Sequence, residues 1–68
     1  MKLRVELTDQ VEPSHHMIEI MTVREFAAAN REDACAIIAA AMVIESGEPF
    51  VLPNHPLIAR IALEPISK

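Results

Sequence analysis

Sixty-eight residues with a formal charge of −4, 51% of them hydrophobic and 24% charged, allow one small globular domain spanning residues 1–68. A chain this short buries only about 60% of the surface its unfolded form exposes, so the core is thin and a partner or second copy would add support. One cysteine excludes an internal disulfide, and six basic residues scattered among ten acids exclude the clustered basic face of an ordinary nucleic-acid binder.

Lys2 to Leu7 reads K-L-R-V-E-L, a two-residue alternation that predicts a half-buried strand with Leu3, Val5 and Leu7 on one face. Thr8 to Ser14 is rich in turn formers and predicts a loop closed by Pro13. A second strand is expected from near His16, with Ile18 and Ile20 facing the core and Met17, Glu19 and Met21 facing away. Where that strand ends has two readings. Thr22-Val23-Arg24-Glu25 matches a capping box, which would start a helix of about 24 residues at Val23. Asn30 followed by Glu32 and Asp33 is an equally good start, an N-cap with acids in the first turn. The second reading is preferred, because Asn30 and its acids would be poorly placed inside a helix. It carries the strand to about Ala28 and the helix from Arg31 to Ser46, where Gly47 supplies the stop. Glu48–Leu52 predicts a short strand and Pro53–Pro56 a tight loop. Leu57–Leu63 predicts the last strand, with Leu57, Ile61 and Leu63 inward and Ile58 and Arg60 outward, ended by Pro65. The fold class is therefore α+β in the order β-β-α-β-β, an antiparallel or mixed sheet with one helix packed on one face.

One helix covers one face of a sheet, which leaves two candidate surfaces. The outward sheet face would present Met17, Glu19, Met21, Ile58 and Arg60, a small apolar centre with a charged rim suited to protein binding. Its charges would pair across strands, as Arg4 or Arg60 with Glu19. On the helix, Ile37, Ile38, Ile44, Ala34, Ala41, Met42 and Cys35 fill the arc expected to face the sheet. The other arc carries Ala36, Ala39, Ala40 and Val43, a small-residue stripe that would let another backbone approach as a dimer seam.

The residues offer little chemistry. His15 and His16 would sit in one loop and His55 in another, but neighbouring histidines in a strand point opposite ways and no carboxylate or cysteine stands at a telling spacing, so no metal site is expected. Cys35 reads as a small buried hydrophobe rather than a nucleophile. A single glycine leaves no phosphate-cradling loop, and the domain is expected to lack the volume for a ligand pocket. No catalytic residue and no cofactor follow. Lys2, Arg4 and Glu6 rule out a secretory signal at the N-terminus, and the longest uncharged apolar run, Ala34 to Ile44, is half the length of a bilayer span, so the expected compartment is the cytoplasm.

The leading expectation is a non-enzymatic protein-binding module, an inhibitor or adaptor that occludes the surface of a larger target. Small acidic proteins of this kind suit mobile-element inhibitors, phage anti-defence (anti-CRISPR-type) proteins among them, by analogy of class alone. The alternative is a homodimeric antitoxin-like or DNA-binding regulator, with Lys2 and Arg4 concentrated on one side of the dimer. Nucleic acid is not the expected partner of a monomer, and no membrane is.

Overall fold

The N-terminal alternation becomes strand β1 (Lys2–Thr8), which pairs antiparallel with β2 (His16–Thr22) in a register that sets Leu3 opposite Met21 and Leu7 opposite Met17. The computed structural model describes residues 1–9 and 15–65. Residues 10–14 of the predicted loop, Pro13 included, lie outside the described residues.

Strand β2 stops at Thr22 rather than near Ala28, because the capping box forms. Thr22 Oγ1 accepts from Glu25 N–H at 3.1 Å, and Glu25 Oε1 accepts from Thr22 N–H at 3.2 Å. This starts a seven-residue helix, α1 (Val23–Ala29), whose one buried side chain is Phe26. Asn30 then ends α1 instead of opening the next helix. Its backbone N–H and its side-chain amide both donate to the Phe26 carbonyl, each at 3.0 Å. The N-cap of α2 (Ala34–Ser46) is Asp33, whose Oδ1 accepts from Ala36 N–H at 3.1 Å. The first signal therefore opens a short helix and the second, Asn30 to Asp33, spans the break after it, so that two helices stand where one was expected. Gly47 ends α2 in the left-handed region, φ 76°, as expected from its position.

Two short strands complete the sheet, β3 (Phe50–Val51) and β4 (Ile58–Leu63), in the order β2-β1-β4-β3 with every pairing antiparallel. The element order is thus β-β-α-α-β-β. Helix α1 packs on β1 and β2, and α2 packs on β3 and β4. Leu3, Val5, Phe26, Ala36, Ala39, Ala40, Val43, Leu52, Ile58 and Ile61 form the core between them. Among the described residues no helix is long and apolar enough to cross a membrane.

Two faces are reversed from expectation. Residues opposite each other in an antiparallel pair share a face, so the β1–β2 register puts Met17, Glu19 and Met21 on the helix side with Leu3, Val5 and Leu7. Ile18 and Ile20 consequently point to the open face and are 44% and 51% exposed. In β4 a bulge opposite Glu6 and Leu7 shifts the pairing by one residue, pairing Arg60 with Glu6 but Ile58 with Leu7. Ile58 is thereby buried, while Leu57, expected inward, is exposed. Arg60 stays on the open face, and Glu19 lies on the opposite one, so the expected Arg60–Glu19 and Arg4–Glu19 pairs do not form. Arg4 bonds Glu6 along its own strand at 3.2 Å.

Most of the expected facing of α2 is reversed as well, only Ile37 and Ile44 of the arc expected to face the sheet packing against the core. Ala36, Ala39, Ala40 and Val43, spaced i, i+3, i+4, i+7, are all buried against the sheet, while Ala34, Cys35, Ile38, Ala41 and Met42 are exposed. The small-residue stripe does admit a close backbone, but that backbone is the domain's own sheet. A seam built from Ala36, Ala39, Ala40 and Val43 has no surface to offer a second chain.

Candidate protein-binding groove

The α2 N-terminus and the β3–β4 loop, residues 52–57, are far apart in sequence and joined by one carboxylate. Asp33 Oδ1 caps α2, and Asp33 Oδ2 accepts from His55 Nε2 at 2.5 Å. On the other side of the ring, His55 Nδ1 accepts from the backbone N–H groups of Leu57 (3.1 Å) and Ile58 (2.8 Å). Backbone N–H groups can only donate, so Nδ1 carries the lone pair and Nε2 the proton. The loop is further held by Leu52 N–H on Ala59 O at 3.0 Å and His55 N–H on Leu52 O at 3.3 Å.

This clip props open a depression of about 510 Å3 between helix and loop. Its floor is apolar, formed by Ala39 of α2 with Phe50, Leu52, Pro53 and Pro56, and Asp33, Cys35, Asn54 and His55 supply its polar edge. The domain therefore does have the volume that its length argued against, as an open groove rather than an enclosed cavity. Ile38 at its margin is 59% exposed, and Met42 one turn further along α2 is 48% exposed. Leu52, Pro53 and His55 also wall a smaller recess of about 230 Å3 beside Val51 and Leu57, so apolar surface continues around the loop.

Cys35, expected in the core, is exposed and lines the same groove as His55 and Asp33. The three residue types suggest a nucleophile, base and orienting acid, but His55 has given its lone pair to two backbone donors and its proton to Asp33. The imidazole is a structural fastener, and no base is aimed at the thiol. Among the described residues, no three His, Cys, Asp or Glu side chains are grouped to hold a metal ion. His16 instead joins the open face, with Nδ1 3.3 Å from Thr8 Oγ1 and Nε2 3.8 Å from Glu6 Oε2.

The groove was not among the surfaces the sequence nominated. Of the nominated sheet residues, Met17 and Glu19 are exposed at the β2 edge, Met21 is half-buried against the core, and Ile58 is in the core. Only Arg60 lies on the open face, so the five do not form one surface. The sequence signal that was present is the loop Leu52-Pro53-Asn54-His55-Pro56, where two prolines flank a histidine. Its partner Asp33 was already noted as a helix-start acid, but nothing local links the two.

Two carboxyls in these caps have lowered pKa values, which predicts a fold that weakens in acid. Asp33 is held below its ordinary value, first by the Ala36 N–H and then by the His55 hydrogen bond, with the Cys35 N–H adding to them. Glu25 is lowered by the hydroxyl and then the backbone N–H of Thr22. A carboxyl with a depressed folded pKa stabilises the native state above its unfolded value, near pH 4, and that contribution is lost as pH falls through the folded value. The thermal midpoint should therefore fall below about pH 4. The Asp33→Asn, Glu25→Gln double variant should show a shallower fall, and a wild-type slope in that variant would clear both carboxyls of the effect.

No protein-family model, curated protein or solved structure matches this chain.

Proposed function

We propose that this domain is a non-enzymatic protein-binding module, an inhibitor or adaptor that seats an apolar segment of a larger protein in the groove between α2 and the β3–β4 loop. The observation that carries this reading is the groove's construction: an apolar floor with a polar edge, held by the Asp33–His55 fastener. A preformed site loses less ordering entropy on binding than a mobile one. Ile38, the most exposed large side chain at the margin, is the expected anchor.

The acidic balance suits a target whose neighbouring surface is basic, such as the nucleic-acid groove of a defence complex, where like charge would compete with the nucleic acid. A phage anti-defence role is the form this reading takes by analogy. A DNA-reading regulator has less support: Lys2, Arg4 and Arg60 share the open face, but Glu6 lies among them and bonds Arg4.

The test is affinity capture from a nuclease-treated lysate of the source cells, with wild type, Ile38→Asp and Arg24→Asp on the exposed side of α1 compared side by side. A stoichiometric protein retained by wild type and Arg24→Asp but lost by Ile38→Asp is the expected result. Equal retention by all three, or no partner for any, would overturn the groove as the binding site.

A further inference from the structure

We propose that the free edge of β2 pairs antiparallel with the β2 edge of a second copy, about a two-fold axis at Ile18, to give a continuous eight-stranded sheet. This inference does not depend on the groove, which lies beside β3 at the opposite edge of the sheet.

The β1–β2 hydrogen bonds set which backbone groups are spare. Asp9 N–H donates to His15 O at 3.2 Å, which makes Leu7–Met17, Val5–Glu19 and Leu3–Met21 the pairs that exchange bonds within the sheet. The alternate residues His16, Ile18 and Ile20 aim their N–H and C=O groups away from β1. No described strand lies beyond them. The next in that series, Thr22, has its N–H taken by the Glu25 carboxylate. The strand lacks the usual protections of an edge: it holds no proline and a single formal charge, Glu19. Met17, Ile18 and Ile20 are all exposed.

Two constraints then choose the register. Pairing centred on Glu19 would set two Glu19 carboxylates directly opposite each other, which destabilises a sheet, and would demand the Thr22 N–H that the capping box already uses. Pairing centred on Ile18 avoids both. It joins Ile18 to the second copy's Ile18 and His16 to its Ile20 in both directions, three pairs that each exchange two N–H···O bonds. Glu19 then lies opposite Met17, and the two isoleucines of each open face merge into one apolar row.

Sedimentation velocity over a wide concentration range tests this. Wild type should pass from monomer to dimer. Ile18→Lys sets two lysines across the axis and should raise the dissociation constant roughly tenfold or more, whereas Ile38→Lys on α2 should leave it unchanged. The register is read independently by mild oxidation in a Cys35→Ser background. Ile18→Cys places two thiols in a pair with Cα atoms about 5.5 Å apart, within disulfide range, and should cross-link faster than Glu19→Cys. Monomer mass at every concentration, a dimer indifferent to Ile18→Lys, a dimer broken equally by Ile38→Lys, or faster cross-linking through Glu19→Cys would each overturn the proposal. Because the edges are opposite, loss of capture by Ile38→Asp and loss of dimer by Ile18→Lys are separate results.

Discussion

Ala40→Asp is expected to abolish cooperative folding, while Ala41→Asp, one residue along the same helix, leaves the domain folded. Ala40 is 4% exposed and packs in the core, whereas Ala41 faces solvent. An aspartate at position 40 must either bury an ionised carboxylate with no partner or take up a proton to avoid doing so, and the effective cost of such a burial is several kcal/mol. A domain of this length has roughly 3–10 kcal/mol to lose, at about 0.05–0.15 kcal/mol per residue. Urea unfolding followed by far-UV circular dichroism would separate the two variants at once. If α2 were turned as its larger side chains suggest, the order would reverse, with Ala41→Asp unfolding the protein and Ala40→Asp sparing it.

Phe26→Ala should come next in severity, at about 3–5 kcal/mol for truncating a fully buried phenylalanine. Phe26 is 1% exposed and is the largest fully buried side chain. It is also the only buried residue of α1, a helix too short to persist without tertiary packing. Removing the ring therefore takes away the anchor of the helix along with its own contacts. The urea midpoint should fall far more than for Ile38→Ala, a truncation at an exposed position. Equal shifts for the two would mean that α1 is not held through Phe26.

The elements were more legible in this sequence than their orientation. The alternation in β1, the capping box at Thr22 and the stop at Gly47 are local signals, and each does what its chemistry requires. The orientation of α2 was not legible because the helix is apolar around almost its whole circumference, with polar residues only at Glu45 and Ser46. A pattern without contrast has no phase. The larger side chains looked like the core, but the face buried against the sheet is the small-residue stripe of Ala36, Ala39, Ala40 and Val43. In β2 both faces offer apolar residues, so the pairing with β1 rather than the local pattern decides which face is inward, and Ile18 and Ile20 are carried outward. The bulge near Ala59 shifts Ile58 by the same kind of non-local cause. The groove depends on Asp33 meeting His55, and two residues twenty-two positions apart leave no periodic trace.

The two central strands of the sheet are β1 and β4, the first and the last of the described strands, with Leu3 opposite Leu63 and Glu64 N–H bonded to Lys2 O at 3.0 Å. On the ribosome this arrangement imposes an order in time. The β1–β2 hairpin and both helices emerge before the strand that must fill the middle of the sheet, and Leu3 and Val5 wait with one flank open until Ile58–Leu63 arrive. Closing so long a loop delays the decisive contact and slows folding. Until then the nascent hairpin leaves open the flank of β1 that the finished sheet covers, and it is in that interval, more than in the finished fold, that it is most exposed to wrong pairing.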